Sequence, residues 1–214
     1  MARLPKGILG PFIGTAGPVV GATWHGIPYM RTKSKKKKKK KRIKSILTMA
    51  NEARFKFGNN WLIPFHPYII VGFGNFPIDK PPISMAFSMN YREAVIGTYP
   101  DFDIEYSKVV LSVGDLPGLD QLVMALIEPD QVELSWMQST SPLTSFDDQI
   151  ILVLYNKELA LTDGFIGGVK RATGKCSFQF DPRLIGKELE VYVSVSSLDR
   201  KKMADSVYLG RIVP

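Results

Sequence analysis

Seven short segments in the second half of the chain suit β-strands, several of them with an apolar–polar period near two, and this pattern constrains the fold more than any other feature. Alternation with a period of two is typical of β-strands, and the stretches between the segments are rich in residues that favour turns. Seven strands within about 105 residues match the number and spacing of an immunoglobulin-like or fibronectin-like β-sandwich. The segments are residues 107–113, 122–127, 132–136, 150–155, 175–180, 189–195 and 206–212.

Three of these segments also predict which side chains are buried. Val132, Leu134 and Trp136 share one strand face, so we expect Trp136 in the core. Segment 150–155 is apolar on both faces, which is typical of a central strand. In segment 189–195 valines alternate with polar or aromatic residues, so we expect that strand to expose one face to solvent.

Residues 33–98 combine a basic run with a segment that predicts helices and loops. Apolar residues at helical spacing predict a helix over residues 42–57, ended by Gly58 and the two following Asn residues. Residues 64–72 predict a short buried helix, because proline is tolerated in a first helical turn. Residues 84–96 fit either a helix or a strand, since their apolar residues alternate as in a strand.

Residues 1–32 are rich in Gly and Pro and predict short extended pieces rather than a helix. Pro11 and Pro18 would each remove a helical hydrogen bond. The extended pieces are residues 11–13, 18–24 and 27–31, with turns at Gly14–Gly17 and at His25–Gly26. The chain is thus predicted to be mainly β with some α. Gly-rich strands span 1–32, the basic and helical segment spans 33–98, and the sandwich spans 99–214.

Eleven basic residues lie close together and account for the positive charge of the chain. The formal net charge is +8, yet without these eleven residues the twenty Asp and Glu outnumber the other seventeen Lys and Arg. Lys neutralises phosphates without reading sequence, so we expect this run to bind a polyanion, with a solvated tether as the alternative. The run consists of Arg31, Lys33, Lys35, Lys36, Lys37, Lys38, Lys39, Lys40, Lys41, Arg42 and Lys44.

Aromatic residues flank this basic run on both sides. Trp24 and Tyr29 precede it, and Phe55 and Phe57 follow it. Nucleic-acid bases can stack on exposed aromatic rings, although aromatic residues more often lie in a core.

The sequence shows no catalytic or metal-binding motif, and we expect no enzyme activity, metal or cofactor. His25 and His66 lie in distant segments without the spacing of a metal site. Cys176, in the middle of a predicted strand, is expected to be a small buried residue. Three carboxylates at alternate positions share one face of a predicted strand, and clustered carboxylates can bind calcium. Because no calcium-binding loop surrounds them, we expect a solvated strand edge instead. They are Asp101, Asp103 and Glu105.

Three stretches of the chain resemble a known family. They are KGILGPFIGTAGPVVGATWHGIPYMR at residues 6–31, GTYPDFDIEYSKVVLSVGDLPG at residues 97–118 and ADSVYLGRI at residues 204–212. The chain is similar to a family of small bacterial proteins, mostly from Bacteroidota, known only as a domain of unknown function. The resemblance covers nearly the whole length and implies a shared fold, but it implies no activity, cofactor or catalytic residue.

These features together suggest a non-catalytic protein. One Cys excludes an internal disulfide, no apolar run approaches the ~20 residues of a membrane span, and Gly and Pro interrupt the apolar amino end. We therefore expect a protein of the cytoplasm, or of a particle assembled there, without a signal peptide. Our first hypothesis is a structural protein that self-associates through β-strand contacts into a filament, particle or virion-like component. The alternative is non-specific binding of nucleic acid or another polyanion through the Lys-rich run.

Overall fold

The computed structural model describes residues 2–7, 9–24, 26–34, 44–77, 81–139 and 141–214. The chain divides into two compact units, residues 1–44 and residues 45–214. The described residues form 12 strands in four sheets together with a short helical segment. The prediction of a mainly β protein with some α is therefore confirmed.

The amino-terminal unit contains a three-stranded antiparallel sheet in the order β1-β2-β3. Its strands are β1 Gly14–Ala16, β2 Val19–Trp24 and β3 Ile27–Thr32. The turn predicted over residues 14–17 lies instead at Gly17 and Pro18, where Gly17 has a φ of +59° that favours glycine. Ile13 precedes β1 and forms an antiparallel bridge with Arg3, so residues from the amino end also pair. His25 lies outside the described residues.

The second unit begins with helix α1, Ile46–Leu62. The Oγ of Ser45 accepts a hydrogen bond from the backbone N–H of Thr48 at 3.2 Å, which caps the first turn. The prediction that this helix ends at Gly58 was wrong. Gly58 is buried, and a Cβ there would lie 3.3 Å from the ring of Phe87, so the glycine lets two helices pack closely. That packing offsets the roughly 1 kcal/mol cost of a helical glycine. Residues 42–43 of the predicted helix lie outside the described residues.

Two further helices complete the helical segment, α2 His66–Gly72 and α3 Pro82–Glu93. The predicted helix over residues 64–72 is confirmed, with one tight 3-10 turn before α2 and prolines in the first turns. Residues 84–96 were predicted to form either a helix or a strand. The structure shows a helix, which ends at Glu93. Its buried positions, Ala86 and Asn90, are four residues apart and therefore lie on one helical face.

The rest of the second unit is built from strands. A short hairpin pairs β4 Val95–Thr98 with β5 Asp101–Ile104. Seven strands follow, in two antiparallel sheets with the orders β10-β7-β6 and β12-β11-β8-β9. The fourth of these seven strands pairs with the third, rather than with the fifth as in constant-type immunoglobulin domains. The seven strands are β6 Asp120–Glu128, β7 Gln131–Met137, β8 Gln149–Asn156, β9 Leu161–Lys170, β10 Lys175–Gln179, β11 Leu189–Ser196 and β12 Val207–Ile212.

The prediction of a strand over residues 107–113 was wrong. Two backbone N–H groups of this stretch donate hydrogen bonds to side chains instead of to a neighbouring strand. The backbone N–H of Val110 donates to Oδ1 of Asn90 at 2.9 Å. The backbone N–H of Leu111 donates to Oγ of Ser206, also at 2.9 Å. Val109, Leu111 and Ser112 are buried, so the apolar residues of this stretch reflect burial without a β-ladder.

Strand β9 was not predicted. It brings the number of strands in the sandwich to seven, although residues 107–113 do not form a strand. Gly164, Gly167 and Gly168 interrupt its alternation and have φ values of +141°, +82° and +90°. A Cβ at Gly164 would lie 2.1 Å from the carbonyl oxygen of Leu152 on the neighbouring strand, so this strand needs a glycine there.

The two central strands of the four-stranded sheet, β8 and β11, are buried on both faces, which makes the second unit a three-layered structure. One face packs against the other sheet, where Val132, Leu134 and Trp136 are buried as predicted. The other face packs against the helices. All eight residues of β11 are buried, so the prediction that segment 189–195 exposes one face was wrong. The helical layer covers the face that would otherwise meet solvent.

Candidate functional site

The residues that could support catalysis or metal binding lie apart. Throughout the described ranges, no group of three or more His, Cys, Asp and Glu side chains could hold a metal ion. His66 begins α2 and Cys176 lies half-buried on β10, where burial raises the pKa of its thiol. Asp103 is exposed and accepts a hydrogen bond from Nζ of Lys157 at 2.8 Å, which lowers the pKa of Asp103. Such an exposed pair adds little stability.

Charge is divided unequally between the two units. Residues 1–44 contain thirteen Lys and Arg and no Asp or Glu. Residues 45–214 contain the other fifteen Lys and Arg together with all twenty acidic residues, a net charge of −5. The amino-terminal unit therefore has no carboxylate that could neutralise its cations.

The structure describes three of the eleven clustered basic residues. Arg31 is exposed on β3, and Lys33 is exposed just beyond it. The backbone N–H of Lys33 donates to the carbonyl oxygen of Pro18 at 2.7 Å, so the β-ladder continues past the end of β3. Lys44 is exposed immediately before the cap of α1. Lys35 to Lys41 and Arg42 lie outside the described residues.

One face of the amino-terminal sheet groups aromatic and basic side chains. In an antiparallel pair, residues opposite one another point to the same face. Trp24 lies opposite Ile27, Ala22 opposite Tyr29, and Val20 opposite Arg31. Because side chains alternate along β3, Lys33 points to this same face. We call it the Trp24 face; it comprises Val20, Ala22, Trp24, Ile27, Tyr29, Arg31 and Lys33.

The Trp24 face is largely exposed. Trp24 is 57% exposed, Ile27 63% and Tyr29 45%. Every residue of β3 is exposed.

The opposite face of the same sheet is covered by the chain that precedes β1. A Cβ at Gly21 would lie 2.1 Å from the carbonyl oxygen of Phe12, so this segment lies directly on the sheet. A groove of about 400 Å³ is lined by Leu9, Gly10, Pro11, Phe12, Pro28, Tyr29 and Met30, so Tyr29 borders this groove as well as the Trp24 face. On the Trp24 face, the described cations Arg31 and Lys33 lie in the same row of side chains as the aromatic ring of Tyr29.

The other two aromatic candidates are placed in the second unit. Phe55 packs edge-on against Phe87, with 5.0 Å between ring centroids. Phe57 packs against Phe102, with 5.9 Å between ring centroids. Both rings thus contribute to packing within residues 45–214 and do not belong to the Trp24 face.

The edges of the sandwich are irregular or short. Strand β6 has two register shifts along its pairing with β7. Strands β9 and β12 each have one register shift, and β10 has only five residues. Such features hinder the addition of a further strand.

The family model of a family of unknown function, DUF6266, matches residues 11–210. The chain belongs to this family. A search of curated proteins finds no match to it. The DUF6266 match begins at Pro11 and ends at Gly210, so it includes the amino-terminal sheet, the basic run, the helices and nearly the whole sandwich.

Within the described part of this DUF6266 chain, no helix has the length and apolar character that crossing a membrane requires. Two properties of the candidate site were missed by the sequence reasoning. The first is the absence of carboxylates from residues 1–44, which a count over the first residues would have revealed. The second is the alternation of Ile27, Tyr29, Arg31 and Lys33, a period-two signal that places these side chains on one face.

Proposed function

We propose that this chain is a non-catalytic protein that binds nucleic acid through its amino-terminal unit, without sequence preference. The observation that supports the proposal is the division of charge: thirteen cations and no carboxylate in residues 1–44, against a net charge of −5 in residues 45–214. Phosphates are the anions that such a cluster binds most effectively when they repeat along a polymer, because each contact releases counterions.

The chemistry of the cluster favours affinity over specificity. Nine of its eleven members are Lys, and eight of the eleven stand in one unbroken stretch from Lys35 to Arg42. Lys is a compact point charge without the planar fork that lets Arg recognise a base edge. Contacts from Lys to phosphates position a nucleic acid but do not read its sequence.

A salt titration of binding to random single-stranded DNA and RNA tests this proposal. The slope of log affinity against log salt should be about −0.7 for each phosphate contacted. Replacing Lys35 to Lys41 with Gln should make the slope shallower and weaken binding at low salt.

A control variant separates local charge from net charge. It replaces seven exposed Lys residues of the second unit with Gln, so it loses the same net charge and should bind like the wild type. Equal slopes for the wild type and the Lys35 to Lys41 variant, or no binding by the wild type at low salt, would contradict the proposal. The control positions are Lys56, Lys108, Lys157, Lys170, Lys175, Lys201 and Lys202.

Self-association is a second candidate, and the exposed apolar residues of the amino-terminal unit favour it. Leu9, Met30 and Ile27 are 103%, 70% and 63% exposed. A unit of residues 1–44 lies near the lower size limit at which a chain buries enough surface to fold alone, so burial against another molecule would stabilise it. The irregular edges of the sandwich make the amino-terminal unit the better candidate for such contacts. A filament, or a particle assembled around nucleic acid in the cytoplasm, would use both the cations and the exposed apolar residues of the amino-terminal unit.

Mass photometry at several protein concentrations, after removal of nucleic acid, tests this second candidate. Defined oligomers or polymers that are lost when residues 1–32 are removed would support it. A monomer mass at every concentration would contradict it and leave the nucleic-acid proposal unaffected.

A further inference from the structure

We propose that the Trp24 face is a stacking platform for the bases of single-stranded nucleic acid. The inference rests on the proposed function and deepens it, because it assigns the bases and the phosphates to different parts of the amino-terminal unit. The bases stack on the aromatic rings, and the phosphates contact the cations that follow along β3.

The register of the sheet places the two rings next to each other. Trp24 lies opposite Ile27, and Tyr29 lies opposite Ala22, so the two aromatic residues are diagonal neighbours on adjacent strands. Diagonal neighbours are about 7–8 Å apart, which allows each ring to receive a separate base. The small side chain of Ala22 leaves the ring of Tyr29 without a bulky neighbour directly opposite.

The cations follow the rings in the same row of side chains. Tyr29, Arg31 and Lys33 point to one face at intervals of two residues, or about 7 Å. The run of Lys residues comes next in the chain. A single strand that leaves the rings along β3 therefore meets two exposed cations, Arg31 and Lys33.

The pairing of exposed rings with cations favours a single strand over other occupants. In a duplex, the faces of the bases are already stacked on one another, whereas the bases of a single strand are free to stack on aromatic side chains. A second copy seated on the Trp24 face itself would bring its Arg31 and Lys33 against the same two cations, with no carboxylate on either face to offset their repulsion.

Fluorescence anisotropy with the full chain tests the platform. The probes are a labelled oligothymidylate, a labelled oligouridylate and a labelled duplex of the same length. Trp24→Ala and Tyr29→Ala should each weaken single-strand binding by about 5- to 150-fold and change duplex binding by less than about twofold. Trp24→Phe and Tyr29→Phe should restore most of the affinity, because Phe also has a π-face.

A matched control is available in the second unit. Phe146 is 71% exposed, so Phe146→Ala removes an exposed aromatic ring outside the platform. This variant should bind all three probes like the wild type.

Tryptophan fluorescence gives a second measurement that needs no variant. The chain has three Trp residues, and Trp61 and Trp136 are only 9% and 6% exposed. Quenching by an unlabelled single strand therefore reports mainly on Trp24, and the duplex should quench much less.

The outcomes separate this inference from the proposed function. Single-strand binding that is unchanged in both Ala variants, or saturation without quenching, would overturn the platform while leaving polyanion binding in place. No binding of any probe by the wild type would overturn both. Ala variants that lose binding to vesicles of anionic lipid, but keep wild-type binding to single strands, would show that the face binds a lipid surface and would also overturn the platform.

Discussion

Replacing Arg171 with Met should destabilise the second unit strongly, because it would leave a buried carboxylate without its cation. Arg171 and Asp148 have side chains only 4% and 2% exposed, and Nε of Arg171 donates to Oδ2 of Asp148 at 3.1 Å. The guanidinium also donates to the carbonyl oxygens of Pro117 at 2.6 Å and Gly118 at 2.7 Å. Met has a similar apolar length but replaces none of these three interactions.

The expected loss can be worked out from the burial of the pair. Removing one partner of a buried ion pair costs about 3–5 kcal/mol, because the remaining charge is neither solvated nor paired. For a unit of this size, each kcal/mol lowers Tm by about 2–4 °C, so the expected decrease is about 6–20 °C.

Thermal unfolding followed by circular dichroism measures this effect. A second variant, Asp148→Asn, keeps an oxygen that can accept the hydrogen bond from the backbone N–H of Ser145, observed at 2.9 Å. The double variant Arg171→Met with Asp148→Asn should lose less stability than the sum of the two single variants, since neither charge is then left alone.

The surface pair of Arg183 with Asp181 provides the control. The side chain of Arg183 is 71% exposed, so Arg183→Met should leave Tm unchanged. A Tm for Arg171→Met that is also equal to the wild-type value, or strictly additive losses in the double variant, would refute the reasoning.

Two further predictions concern close packing and burial in the same unit. Gly72→Ala should cost about 1–3 kcal/mol in chemical denaturation, because its Cβ would lie 2.2 Å from the carbonyl oxygen of Leu111. Gly118→Ala, whose Cβ would meet nothing within 4 Å, should change stability little, and equal losses in both variants would contradict the packing argument. Burial raises the pKa of Tyr68 and of Tyr155 to about 12, so the unfolded state ionises first and stability should fall as the pH rises from about 10 to 12. Absorbance at 295 nm should then increase together with loss of the circular dichroism signal, and a signal that is unchanged through pH 12 would contradict this prediction.

The sequence allowed the sandwich to be predicted because several of its strands alternate and turn-rich stretches separate them, but alternation alone could not identify every strand. In residues 107–113, Leu111 and Ser112 are buried, while the N–H groups of Val110 and Leu111 donate to the side chains of Asn90 and Ser206 rather than to a strand. Strand β9 does not alternate, since its glycines remove the side chains that would show the period. Whether a segment joins a ladder depends on hydrogen-bond partners that are distant in sequence, and composition does not specify them.

The same limit explains the errors in the helical segment and in β11. Gly58 appeared to end a helix because its packing against Phe87, 29 positions later, is not visible locally. The polar and aromatic residues of β11 suggested an exposed face, but Tyr192 donates from its hydroxyl to the backbone carbonyl of Tyr106 at 2.8 Å, in a buried position. A buried hydroxyl that has a hydrogen-bond partner cannot be distinguished from an exposed one by the sequence alone.

The candidate site was only partly predictable. The basic run is visible in the sequence, and so are the four aromatic residues around it. In the structure, Trp24 and Tyr29 share the face of one sheet. Phe55 and Phe57 instead pack against other rings within residues 45–214. That separation depends on the register between β2 and β3, which places Tyr29 beside Trp24, and on helix packing around residues 55–57.

The irregular edges of the sandwich have a consequence for crowding. A polymer or surface that collects many copies of this chain would raise the local concentration of neighbouring sandwiches far above that in free solution. Regular, open edges would then promote pairing between neighbours and growth of an insoluble array. With register shifts in β6, β9 and β12, and with β10 only five residues long, closely spaced copies can stay individually folded.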